Sequence, residues 1–137
     1  MATIKLDVVT PERVVYSDDV DMVIARSLDG DLGILANHAP LIAALKMSIL
    51  RIKKDNKITH LAVSGGGFME VNPQKITVLA DAAERPVDID VERARAAKER
   101  AEKRIASPRE DVDMTRAEAA LRRAMTRLEA VEKEKGN

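Results

Sequence analysis

Ile76-Thr77-Val78-Leu79-Ala80-Asp81-Ala82-Ala83-Glu84-Arg85-Pro86-Val87-Asp88-Ile89-Asp90-Val91-Glu92-Arg93-Ala94-Arg95-Ala96-Ala97 changes its period partway along. Ile76–Ala80 is a short β-branched run bounded by turn residues, as a strand is. From Asp88 the pattern is helical. Asp88 reads as an N-cap, Asp90 and Glu92 lie where carboxylates favour the helix dipole, and no Gly or Pro follows until after Ala106.

Upstream of this boundary the strand period recurs. Ile4, Leu6 and Val8 alternate with Lys5 and Asp7, and Val20, Met22 and Ile24 read as a second alternating run. Further runs are Val14–Tyr16, Leu32–Leu35, Ile49–Ile52, Ile58–Val63 and Phe68–Val71. Turn signals separate them: Thr10-Pro11, Asp29-Gly30, Asn37-His38-Ala39-Pro40, Lys54-Asp55-Asn56-Lys57 and Asn72-Pro73. Many short strands at regular spacing predict a β-sandwich or barrel.

Downstream, Ser107-Pro108-Arg109-Glu110-Asp111 ends the first helix. A second is predicted from about Asp113 to about Lys133, with Met114, Ala117, Leu121, Ala124, Leu128 and Val131 three and four apart. The short connection makes the two helices antiparallel neighbours. The expected organisation is a β-sandwich over 1–87 followed by a two-helix hairpin over 88–137. Charge agrees with the division: 10 basic and 11 acidic residues occupy the first 87 positions, and 13 and 12 the last 50. The first helix offers only Ala94, Ala97, Ala101 and Ile105 for burial, so its docking is expected to be weak and the hairpin mobile.

The whole chain has 137 residues, 23 basic against 23 acidic, no Cys and two His. A single domain with an appendage fits that length. Zero net charge offers no field for a polyanion, and with only Tyr16 and Phe68 aromatic there is no base-stacking platform, so nucleic acid is an unexpected partner. Cysteine-ligated metals and thiol chemistry are absent, and no apolar run reaches the ~18 residues that cross a bilayer. His38 lies in a turn and His60 in a strand, without the nucleophile pattern of a triad. Ser64-Gly65-Gly66-Gly67 lacks phosphate-loop spacing and leads into a strand, so it reads as a tight corner. No enzyme is expected.

The informative charges are on the helices. Arg93 and Arg100, seven apart, share a face, and Arg123 and Arg127 form a like-charge pair that is unfavourable unless an anion neutralises it. In an antiparallel hairpin Arg93 approaches Arg127 and Arg123, making a phosphate clamp with Asp90 beside it. The same row, Arg116, Arg122, Arg123 and Arg127, equally suits an acidic protein surface. The plain alternative is a solvated ladder, because Glu99 precedes Lys103, Glu118 precedes Arg122 and Glu129 precedes Lys133 by four.

Val9-Thr10-Pro11-Glu12-Arg13, Asp29-Gly30-Asp31-Leu32-Gly33-Ile34-Leu35-Ala36-Asn37-His38-Ala39-Pro40-Leu41 and Ala62-Val63-Ser64-Gly65-Gly66-Gly67-Phe68-Met69-Glu70-Val71 resemble the epsilon subunits of bacterial F-type ATP synthases along the whole chain. The chain departs from the usual pattern in having three glycines before Phe68 where two are usual, and Ser48 where a glycine is common.

The resemblance implies a ten-stranded sandwich and a non-catalytic central-stalk subunit, peripheral on the cytoplasmic face of the bacterial membrane. Its implied partners are the gamma shaft and the proton-carrying c-subunit ring. It implies a hairpin that folds compactly against the sandwich or extends along the shaft into the catalytic head, where Arg116, Arg122, Arg123 and Arg127 meet an acidic loop of the beta subunit and block hydrolysis.

It also implies regulatory ATP binding through an [IL]-D-x-x-R-A motif, which Ile89-Asp90-Val91-Glu92-Arg93-Ala94 fits. Glu84, Arg123 and Arg127 are the further contacts carried over, and no metal is implied. ATP held only by the compact hairpin would favour that state by about 2.7 kcal/mol at a hundredfold excess over Kd. A stand-alone nucleotide-binding sensor or adaptor is the alternative, but it leaves the motifs of the first 87 residues without a purpose.

Overall fold

Ten strands precede two helices in the computed structural model, which describes residues 2–136. The strands are β1 Ile4–Val9, β2 Val14–Val20, β3 Met22–Ser27, β4 Gly30–Leu35, β5 Leu41–Leu45, β6 Ser48–Lys54, β7 Lys57–Val63, β8 Gly67–Val71, β9 Lys75–Ala80 and β10 Ala83–Glu84. A single 3₁₀ turn, Pro86–Asp88, leads to α1 Val91–Ala106, and α2 is Met114–Lys135.

The strands follow one hydrogen-bonded path, β10-β7-β6-β3-β5-β8-β9-β1-β2, with β4 paired to β3. The path folds over at β3 and β5, which meet only at Ser27↔Leu45. It nearly closes on itself where the Asp21 N–H donates to Lys53 O at 2.8 Å. Between the layers lies the core, including Ile4, Leu6, Val8, Leu50, Leu61, Met69, Ile76 and Val78, all 1 % exposed or less. The alternation read in β1 is the one observed, with Ile4, Leu6 and Val8 pointing inward.

The reading of Val20, Met22 and Ile24 as one alternating run is corrected. The chain bends at Asp21 between β2 and β3, and Val23 and Ala25 are the inward residues of β3. One residue outside the ladder reverses which parity faces the core. β5 and β10 are also additions to the sequence reading. The turn Lys54-Asp55-Asn56-Lys57 is as expected, with Asp55 at φ 51° and Asn56 at φ 66°, the left-handed pair of a tight hairpin. Gly67 has a different necessity. A Cβ there would fall 2.2 Å from Leu79 O, so β8 approaches β9 closely because residue 67 has no side chain.

The cap of the first helix is also corrected. Asp88 closes the 3₁₀ turn, and it is Asp90 whose carboxylate accepts from the Arg93 N–H at 3.1 Å. Pro86, with its preset φ, favours that short turn before the helix begins. Asp113 caps α2 in the same way, through the Arg116 N–H at 3.1 Å. The connection runs over 107–113, longer than the five residues expected.

α2 lies between the sheet and α1: it packs on β7 and β6, and α1 packs on α2. This explains why α2 is buried on two sides. Ala117 and Ala124 lie along one face, while Thr126 and Ala130 lie roughly half a turn around the helix. The contact with the sandwich is small, built from Ala62, Ile89 and Ala130 with Ile49 and Val131 alongside.

Candidate functional site

α1 presents Arg93, Ala94, Ala97 and Arg100 on one face because they are spaced by one, three and three residues on a 3.6-residue helix. That face borders a cleft of ≈ 430 Å³ whose other walls are Glu84 of β10, Asp88 of the turn, Asp90 at the helix start and Arg127 of α2. The volume suits a small-molecule ligand. Ala94 and Ala97 keep the floor low, leaving room between the guanidinium groups.

Three arginines and three carboxylates line this space, so it is strongly polar without net charge. Arg127 Nε donates to Glu84 Oε1, and the two side chains are 29% and 24% exposed. Arg93 and Arg100 have no ion-pair partner among the described residues, so two guanidiniums stand ready for an anion. Asp88 is 3.8 Å from Arg13, which ties the turn to the start of β2. On the same side, Arg85 Nε donates to Val15 O at 2.9 Å and its guanidinium lies 5.2 Å from the Tyr16 ring centroid. The segment entering the cleft is thus anchored to the sandwich.

Of the residues chosen from sequence, Glu84, Asp90, Arg93, Ala94 and Arg127 converge here. Ile89 does not line the cleft. It is 8% exposed and packs against the sandwich and α2. Arg123 is half-buried on α2 and is not among the lining residues, one turn away from Arg127. Arg116 and Arg122 are exposed. Asp88, Ala97 and Arg100 join the lining without having been selected. For Arg100 the signal was its position seven after Arg93.

Among the described residues, no group of three or more His, Cys, Asp or Glu side chains is placed to hold a metal ion. No helix among them is long and apolar enough to cross a membrane.

A second surface lies on the outside of the sheet. The register aligns Ala44, Phe68, Leu79 and Val9 across β5, β8, β9 and β1. Phe68 is 58% and Leu79 52% exposed. With Pro11 beside them, Val9, Phe68 and Leu79 of this row line an apolar groove. The three glycines belong to this corner, where Gly66 and Gly67 line the groove.

Family models match both parts of the chain: the ATP synthase delta/epsilon chain β-sandwich domain over residues 3–86 and the delta/epsilon chain long α-helix domain over residues 88–132. The chain is 54% identical over 130 residues to the ATP synthase epsilon chain of Desulforamulus reducens, covering 95% of this chain and 98% of that one. It is 50% identical over 133 residues to the ATP synthase epsilon chain of Bacillus subtilis, covering 97% and 100%. Among solved structures it is similar to a chain of the Euglena gracilis mitochondrial ATP synthase OSCP/F1/c-ring assembly, at 27% identity and TM-score 0.78, over 96% of this chain and 82% of that one.

Proposed function

The chain belongs to the ATP synthase delta/epsilon family, and on that premise we propose that it is a non-catalytic central-stalk subunit of a bacterial F-type ATP synthase whose hairpin is controlled by ATP. The reading places it peripherally on the cytoplasmic face of the membrane. The gamma shaft and the c-subunit ring are its partners on the sandwich side. The apolar row of Phe68, Leu79, Val9 and Ala44 supports that assignment, since it supplies desolvated contact area that an isolated domain has no use for.

One observation carries the regulatory part. The cleft exists only while three separate segments are together: β10 with its following turn, α1 from its cap to Arg100, and the middle of α2. A ligand spanning Arg93, Arg100 and Arg127 therefore binds the compact hairpin and has nothing to bind in an extended one. Such differential affinity is what shifts a conformational equilibrium. Phosphates of ATP answer the guanidiniums, while Asp90 and Glu84 accept hydrogen bonds from hydroxyl or amino groups.

The same geometry gives the inhibitory state its exclusivity. Arg127 is held by Glu84 when compact, so it is free for an acidic loop of the beta subunit only after the hairpin leaves. Arg116, Arg122 and Arg123 accompany it along α2.

Calorimetric titration of the full chain with ATP, with and without magnesium, tests this reading. Saturable one-to-one binding is expected, lost in Arg93→Ala and Arg127→Ala. Asp90→Asn separates ligand contact from capping, because Asn caps a helix about as well as Asp. Absence of binding at millimolar ATP would remove the nucleotide from the function and leave the arginines to the protein interface.

A further inference from the structure

Glu134, in the last turn of α2, lies beside β7. Its Oε1 accepts from the His60 backbone N–H at 3.0 Å and is 3.2 Å from His60 Nδ1. With Oε1 as the acceptor, His60 Nδ1 is the donor of this second contact. The His60 and Glu134 side chains are only 12% and 32% exposed.

Sheet topology explains why this N–H is available. β10 pairs with β7 only at Ala83↔Val63 and Glu84↔Ala62. At His60, β7 has β6 on one side, through Arg51↔His60, and no strand on the other. Glu134 occupies the place of the missing strand at one outward donor. The helix itself does not favour a carboxylate at this end, where the dipole suits the flanking Lys133 and Lys135. Its partner on the sheet is what stabilises it there.

We propose that Glu134, fastened to His60, is a latch that sets the balance between docked and released hairpin from a point two turns beyond Arg127. The inference rests on the detachable hairpin of the preceding reading. The apolar part of the docking surface gives the latch its leverage: among the described residues, Ala62, Ile89 and Ala130 are buried there with Ile49 and Val131 partly buried beside them, a small area. Two contacts to one carboxylate oxygen at the end of the helix therefore join the Arg127–Glu84 pair as the polar ties that hold α2 down. Because it does not line the nucleotide cleft, it shifts the docked fraction without touching the ligand, and apparent ATP affinity follows that fraction.

The test uses the full chain, whose lack of cysteines allows a dye pair on Asp29→Cys and Glu99→Cys, together with amide exchange at His60. Glu134→Ala is expected to speed His60 exchange by at least about tenfold, the effect of one charge-assisted hydrogen bond, and to enlarge the separated population. His60→Asn, whose amide nitrogen replaces Nδ1 as donor, is expected to keep the docked fraction that His60→Ala loses. Unchanged exchange and dye separation in Glu134→Ala overturns the latch. Separation in Arg127→Ala but not in Glu134→Ala overturns the latch alone. Dyes that stay together in every variant, including the Glu134→Ala and Arg127→Ala double variant, overturn the detachable hairpin and the latch with it.

Discussion

Arg127 in the middle of α2 is ion-paired with Glu84 at the end of the last strand, forty-three positions earlier, and neither side chain is as much as one third exposed. This pair joins the hairpin to the sandwich and stands in the wall of the candidate nucleotide cleft. Removing one partner leaves the other desolvated and unpaired. Arg127→Ala is therefore expected to weaken docking of α2 by about 1–3 kcal/mol. Hydrogen exchange is expected to accelerate in α2 and not in β1, β8 or β9.

Ala130 is fully buried between α2 and the sheet. A leucine there has no space, and overpacking of this kind costs about 1–3 kcal/mol. Because no hairpin residue among the described residues belongs to the main core, Ala130→Leu is expected to release the hairpin while the urea midpoint of the sandwich stays within experimental error of the parent.

Deletion of 88–137 follows the same division. Among the described residues nineteen buried ones form the main core, and all lie at or before Ala83. The remaining sandwich is expected to unfold cooperatively, with its β circular dichroism intact and the apolar surface around Ile49 and Ala62 newly exposed. A molten, uncooperative transition would show that the helices are needed for the core.

Gly66 and Gly67 are neighbours with opposite tolerance. A Cβ on Gly66 would meet only Leu45 O at 4.0 Å, whereas one on Gly67 would meet Leu79 O at 2.2 Å and Ala80 Cα at 2.9 Å. Backbone cannot rotate away as a side chain can. Gly67→Ala is expected to lower stability by about 1–3 kcal/mol, and Gly66→Ala to change it by less than about 0.5 kcal/mol, as thermal unfolding of both variants would measure.

Asp7 confers a pH dependence. The Ser17 hydroxyl donates to its Oδ1 at 2.6 Å and the Lys75 ammonium lies 3.0 Å from its Oδ2. The hydroxyl first, and then the ammonium, hold its carboxyl below the ordinary 3.8. A depressed folded-state value means that the stabilisation is present above the unfolded value and disappears as pH falls through the folded one. Asp7→Asn is thus expected to be less stable than the parent from neutral pH down to about 5. The difference in urea midpoint should close as the pH falls below 3.8.

The strands of β1 and β9, the hairpin turn at Asp55-Asn56 and the start of α2 at Asp113 are local matters, and they were legible. Period-two alternation, left-handed turn residues and a carboxylate before a helical run act on the residues beside them. Asp88 misled as a cap because two Asp residues precede α1 and Pro86 diverts the first into a 3₁₀ turn. Val23 and Ala25 misled because a bend at Asp21 changes parity without any Gly or Pro to announce it. β5, Leu41-Ile42-Ala43-Ala44-Leu45, escaped because it is apolar on both faces and has no alternation to read.

The amino-acid sequence by itself determined that a many-stranded β unit precedes two antiparallel helices, and which residues share each helix face, because those properties follow from backbone period and short-range capping. Only the tertiary structure decided which faces meet. Helical spacing put Arg93 and Arg100 on one side of α1 and Arg123 beside Arg127 on α2, yet it was the packing of α1 on α2, and of α2 on β7, that brought Arg100 and Arg127 to one cleft and left Arg123 out of its lining. The Glu134–His60 contact spans seventy-four positions. No local pattern encodes such a pairing, since it exists only once β7 runs on past the end of β10 and a helix end lies beside it.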